Sequence, residues 1–301
     1  MSDSVPAYHP ASHRLLWPVL ATILVISWSS GYVGVRFASE EADVVLVLFW
    51  RSLLAGLVLL PFAFAFGERM RWRGIRDQAL FGVMSVFLYL GGFALAIEQG
   101  VPTGLVALTS DLLPLAIAAL SQPILNERLD ARQWWGTAIA AGGVLIVSSE
   151  SLSLGTAPVW AYLLTVGSMM VFAVASVLHK RQPALHMPVH QSLCIQTLAG
   201  AVLFGACALV IGDLRPPATG AFALGMVWLV LLSTFVAYSV YYTSLRMFPA
   251  AQVSAAIYLS PPVTMLWAWA LFAEPLTWAM ALGLAVTLVG VRLTTPARSR
   301  G

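Results

Sequence analysis

The chain has 301 residues, 59% of them hydrophobic and 10% charged, with a formal net charge of +3. Soluble domains carry about 25% charged residues, so water is excluded as the main solvent of this surface, and no segment is basic enough to serve nucleic acid. Cys194 and Cys207 lie in one apolar stretch, about 20 Å apart along a helix. They cannot pair, and no Cys/His cluster points to a metal or another cofactor.

Residues 1–15 form a polar tail. The first apolar run is long enough to read as a retained first helix rather than a cleaved signal. From there, runs long enough to span a bilayer recur at 16–36, 44–66, 76–97, 102–124, 133–149, 158–179, 190–211, 220–245, 250–272 and 277–295. Residues 297–301 make a short C-terminal tail. In lipid every backbone polar group must be satisfied within its own segment, so these runs are expected to be helices. The alternating ten-residue pattern of a membrane β-barrel is absent. The expected fold is therefore an all-α membrane protein with ten transmembrane helices.

Basic residues set the orientation. With the N-terminus inside, one set of loops and ends collects Arg14, Arg69, Arg71, Arg73, Arg76, Arg128, Arg132, Lys180, Arg181, Arg246, Arg292, Arg298 and Arg300. The other set collects only Arg36 and Arg215, and Arg51 falls inside the second span. Both termini are thus expected in the cytoplasm.

An internal repeat is visible at an offset of about 147 residues. It lays Pro102 on Pro249, Pro114 on Pro261, Glu127 on Glu274, Leu129 on Leu276, Gly136 on Gly283 and Gly143 on Gly290. Earlier in the chain, Leu54, Ala55 and Gly56 meet Leu198, Ala199 and Gly200. Two five-helix units follow, at 16–149 and 156–296. Because five is odd, the copies must lie upside down relative to each other, an architecture that recurs in secondary transporters.

Four stretches carry a resemblance to a known group. They are Trp28 to Tyr32; Trp50 and Arg51 running to Pro61; Leu113-Pro114 through Asn126-Glu127-Arg128-Leu129 with Gly136, Gly142 and Gly143; and the echo Leu259-Ser260-Pro261 through Glu274-Pro275-Leu276 with Gly283 and Gly290. Over residues 16–295 the chain resembles the drug/metabolite transporter superfamily, in its ten-helix branch built of two EamA repeats. It looks most like the bacterial exporters of aromatic amino acids and methyl viologen. The resemblance implies a multi-pass protein of the bacterial cytoplasmic (inner) membrane that exports metabolites or amino acids.

Several residues are candidates for that work. Pro114 and Pro261 sit near mid-span, where a proline removes a backbone hydrogen bond; they serve either as paired hinges or as static packing kinks. Asp111 is the acidic residue near mid-span and should face the bundle interior. It either meets a substrate amine or proton, or pairs structurally with a helix end or an arginine. Its repeat counterpart is Tyr258. Arg51 is long enough to snorkel and reads as an anchor, an ion-pair partner or a substrate contact. Aromatic and small polar groups gather at mid-span: Trp28, Tyr32, Tyr89, Ser168, Met169, Tyr238, Tyr241, Tyr242 and Tyr258. Tyr238, Tyr241 and Tyr242 share one helix face. Such a lining suits an amphipathic amino acid or a flat cation, although each ring is equally at home in helix packing.

The function expected is secondary transport of small metabolites, amino acids including aromatic ones, by alternating access through a central cavity between the repeats. The partners are a small-molecule substrate (an amino acid or organic cation) and the lipid bilayer, with the chain acting as a monomer. No phosphate-binding loop is present to make ATP the energy source. Alternatives are export of other metabolites or cationic drugs and, from other classes, an intramembrane enzyme or a scaffold; no HExxH, GxSxG or paired catalytic carboxylates support an enzyme.

Overall fold

The computed structural model describes residues 10–40, 42–101, 103–149, 157–181, 187–212, 214–273 and 276–294. Among them every regular element is helical. In chain order these are α1 (Pro10–Ser39), α2 (Val44–Ala65), α3 (Trp72–Gly82), a π-helical segment (Val83–Leu88), α4 (Tyr89–Glu98), α5 (Thr103–Asp111), α6 (Leu113–Leu125) and α7 (Ala131–Ser148). The second half follows with α8 (Val159–Arg181), α9 (Val189–Ile211), α10 (Gly220–Trp228), a π-helical segment (Leu229–Val236), α11 (Ala237–Met247), α12 (Ala250–Ile257), α13 (Ser260–Phe272) and α14 (Trp278–Thr294).

Seven rods are long and apolar enough to cross a bilayer: Leu16–Ser39, Val44–Ala65, Trp72–Glu98, Leu105–Leu125, Val159–Arg181, Val189–Val210 and Gly220–Met247. α14, at 17 residues, is shorter. The distribution of side chains is that of a protein in lipid. Val210 and Trp278 are 88% and 90% exposed, whereas Gln78 and Gln196 are 0% exposed. Several buried hydroxyls serve their own helices, as Ser30 donates to the Ser27 carbonyl, Ser121 to Ile117 and Thr197 to Leu193, which satisfies them without a partner helix.

The repeat is written into the backbone. The π-helical segments interrupt the third rod of each half at matched places, Val83–Leu88 and Leu229–Val236. α6 and α13 both end on a left-handed residue, Asn126 at φ 57° and Ala273 at φ 54°. Pro114 and Pro261 were expected to kink continuous helices. Each instead sits in the first turn of a separate half-helix. α5 stops at Asp111 and α6 restarts at Leu113; α12 stops at Ile257 and α13 restarts at Ser260. The second gap is wider for a chemical reason: Pro262 follows Pro261, so two successive residues lack the N–H that would continue the helix.

Glycines show how the halves meet. A Cβ built on Gly136 would lie 2.8 Å from the Gly290 carbonyl oxygen, and one on Gly290 would lie 2.6 Å from that of Gly136. Gly143 and Gly283 oppose each other in the same way, at 2.8 Å in both directions. The repeat pairs Gly136 with Gly283 and Gly143 with Gly290, so each residue touches the mate of the other. That exchange is the signature of a twofold axis. Because early residues of α7 meet late residues of α14, the two helices run antiparallel. α2 and α9 repeat the pattern, with Phe49 against Gly205 and Gly56 against Leu198.

Candidate functional site

A cavity of about 290 Å³ opens between α1, α2, α4, α5, the second π-helical segment and α11. Its upper wall is Val35, Val44 and Ile97, residues close to the turns after α1 and α4, so the mouth lies at that end of the bundle. Deeper in, Trp28, Tyr89, Phe93 and Tyr238 give aromatic faces, and Arg51, Ser110 and Ser233 give polar ones.

The floor is a layer of rings. Trp28 stands 5.5 Å from Tyr238, 5.4 Å from Tyr241 and 6.0 Å from Phe172, centroid to centroid. Phe172 meets Tyr89 at 4.5 Å and Tyr241 at 6.1 Å. Tyr242 lies 5.7 Å from Tyr241 and stacks on His179 at 4.6 Å. Hydrogen bonds pin the layer: Tyr89 Oη pairs with Ser110 Oγ at 2.9 Å, Tyr242 Oη donates to Gln196 Oε1 at 2.8 Å, and Gln196 Nε2 donates to Gln78 Oε1 at 2.7 Å. Below the rings the bundle is clamped shut. Glu127 Oε1 lies 2.7 Å from Lys180 Nζ, Glu127 Oε2 accepts from Ala250 N at 2.8 Å, and Lys180 also donates to the Phe248 carbonyl. Trp17 packs on Phe248 at 5.0 Å. Glu127 therefore ties the end of α6 to the end of α8 and the start of α12, across the two halves.

Arg51 is the group that the sequence left open as an anchor, an ion-pair partner or a substrate contact. It is 7% exposed and does not snorkel. Its Nε donates to Thr234 Oγ1 at 3.0 Å and its Nη2 to Ser233 Oγ at 3.4 Å and to the Ser233 carbonyl at 3.5 Å. The π-helical segment carries both acceptors; π insertions inside α-helices recur at functional sites. A small void of about 10 Å³, room for about one water, lies on the other side of Arg51, towards Gln196 and Thr197. The signal in the sequence is a lone arginine inside an apolar run.

Of the residues singled out from the sequence, Trp28, Tyr89 and Tyr238 line the cavity, and Tyr241 and Tyr242 belong to the ring layer beneath it. Ser168 and Met169 are buried on α8, with Ser168 facing Gly92 rather than the cavity. Asp111 is 6% exposed at the end of α5, but its neighbour Ser110, not Asp111, borders the cavity. Tyr258 is fully buried in a separate cluster with Ala140, Ala141, Val144 and Ala255, and its hydroxyl has no hydrogen-bond partner among the described residues. The Tyr32 side chain and Glu274 lie outside the described residues. Phe93, Phe172 and Gln196 join the site without having been singled out as binding residues.

Comparison with known proteins agrees with this architecture. The EamA-like transporter family matches residues 15–149 and again residues 159–295. The chain is 27% identical over 289 residues to the "Uncharacterized inner membrane transporter YedA" of Escherichia coli (strain K12), covering 94% of this chain and 92% of that one. It is 24% identical over 285 residues to a "Probable amino-acid metabolite efflux pump" of the same organism, covering 91% and 92%. A solved crystal structure superposes with a TM-score of 0.80 at 18% identity, covering 92% of this chain and 95% of that one. With both halves matched, the chain belongs to the EamA-like transporter family.

Proposed function

We propose that this protein is a secondary transporter that exports small metabolites, amino acids including aromatic ones, by alternating access. The observation that carries the reading is the one-sided cavity. It is aromatic-walled, it draws elements from both repeats, and it is sealed by rings and an ion pair at one end only. The relative described as an amino-acid metabolite efflux pump supports the substrate class.

In this reading the chain crosses the membrane ten times. The seven long rods are joined by α7, by the α12–α13 pair and by α14, the last two completing the antiparallel twofold partners of the first half. The units are 16–149 and 156–296, and both termini are cytoplasmic. The clamped end carries the arginine-rich turns, so the conformer described is open to the outside. The protein sits in the inner membrane, as the relatives' names have it. It is not an enzyme: its work is exchange of two packings, and the half-helices that restart at Pro114 and Pro261 are the joints at which they exchange.

Counterflow in proteoliposomes tests this. Purified protein should accumulate labelled L-phenylalanine or L-tryptophan against an unlabelled internal pool. Absence of flux for amino acids and organic cations alike would refute it.

A further inference from the structure

We propose that Arg51 is the docking point for the carboxylate of a small aromatic or apolar solute, so that the cavity selects anions and zwitterions over organic cations. The inference rests on the transporter reading and deepens it. A guanidinium cannot shed its proton, and Arg51 is buried without a counter-charge among the described residues. The ion pairs among the described residues are Arg36–Glu40, Arg76–Asp77 and Lys180–Glu127, all elsewhere. A lone charge held away from water is destabilising, and an opposite charge arriving in the site offsets that cost.

Arg51 is also arranged to receive such a ligand. Neutral acceptors hold Nε and Nη2, which fixes the plane of the fork, while Nη1 has no hydrogen-bond partner among the described residues. The guanidinium borders the cavity, and its planar N–H donors match a carboxylate. The scaffold does not demand a cation here, because the repeat places Ile195 at the matched position of α9. The rest of the ligand is set by the walls. Trp28, Tyr89, Phe93 and Tyr238 present ring faces, and a volume of about 290 Å³ lies just under the range of about 300–1,000 Å³ for drug-sized ligands, which points to a small solute. Acidic groups are absent among the described lining residues, so Arg51 is the charge that a solute touches there, with the buried Asp111 one residue behind Ser110.

Four flat aromatic probes separate the charges, three on one indole ring and the last a bipyridinium dication: indole-3-acetate, L-tryptophan, tryptamine and methyl viologen. Their binding to the purified full-length protein is measured by calorimetry, for the wild type, Arg51→Lys and Arg51→Gln. Indole-3-acetate and L-tryptophan should bind at least about tenfold more tightly than tryptamine or methyl viologen, and Arg51→Gln should remove at least about tenfold of that preference. Arg51→Lys, which keeps the charge and loses the fork, should fall between. Size exclusion reports folding of the variants; if Arg51→Gln does not fold, the wild-type ranking and Arg51→Lys decide. Tryptamine or methyl viologen binding as well as indole-3-acetate, binding of none of the four, or an unchanged preference in Arg51→Gln overturns the proposal. Flux of the same probes in proteoliposomes keeps the two readings apart: transport without a carboxylate preference removes the Arg51 site alone, and carboxylate binding without any flux removes the transporter reading alone.

Discussion

Glu127→Gln is the substitution whose effect follows most directly from the clamp. One carboxylate takes an ammonium at 2.7 Å and a backbone N–H at 2.8 Å, joining elements that must part before the cavity can open towards that end. At 2.7 Å the bare attraction is about 6 kcal/mol at an effective dielectric of ~20. Lys180 and Glu127 keep 18% and 25% of their side-chain surface exposed, so solvation cancels most of it. Hydrogen bonds to charged groups retain about 1.5–3 kcal/mol net, against about 1 for neutral ones. Glutamine preserves the shape and one acceptor, so the closed end should lose about 1–2 kcal/mol, a shift of roughly five- to thirtyfold towards the alternate conformer. A single cysteine reads this out: Leu245→Cys, at a site 1% exposed beneath the ring layer, in a background with Cys194→Ala and Cys207→Ala. Maleimide labelling in detergent should quicken by that factor when Glu127→Gln is added. Lys180→Gln should produce much the same gain, and the double variant little more. Labelling that is indifferent to Glu127, or additive gains in the double variant, would refute the clamp as a determinant of the conformer.

Other outcomes follow from the same geometry. Gly290→Val puts a side chain against the Gly136 carbonyl and the Ala140 backbone, which cannot yield without separating α7 from α14; overpacking of this kind costs about 1–3 kcal/mol, and the unfolding midpoint should fall, while Gly142→Ala, on an open face of α7, should not lower it. Ala273 adopts the left-handed conformation that Asn126 adopts in the first half, and Ala273→Gly should raise stability by about 0.5–1 kcal/mol in thermal unfolding. The repeat sets Arg36 where Lys180 stands and Glu274 where Glu127 stands, so Arg36→Gln should bias the Leu245→Cys labelling in the opposite sense to Glu127→Gln, slowing it.

Membrane character was legible because composition and run length are set by lipid, and the duplication was legible because prolines, glycines and glutamates are rare enough in apolar helices to align. The α5–α6 break was legible only as a proline: removal of an N–H is a property of the residue, whereas whether the helix bends or splits depends on what packs beside it. The π-helical segments left no mark, since Val83–Leu88 and Leu229–Val236 are as apolar as their flanks. Asp111 and Tyr258 attracted notice as polar groups at depth, and both are buried. Periodicity assigns residues to a common face but not that face to a neighbour, so it could not tell that Ser110 rather than Asp111 would border the cavity. Arg51 was legible only as an anchor, an ion-pair partner or a substrate contact; its capture by Thr234 depends on a contact between residues 183 positions apart.

The twofold exchange of glycine neighbours between α7 and α14 has an energetic corollary. A molecule built from two identical copies would hold its two rocked forms in perfect balance, each the other turned over. Every mismatch between the copies tilts that balance: an arginine answered by an isoleucine, one proline answered by two, an asparagine answered by an alanine at a left-handed corner. Under the proposed alternating access, the resting posture is thus decided by how far the halves have diverged, and restoring likeness at these few places should bring the two postures toward equal population.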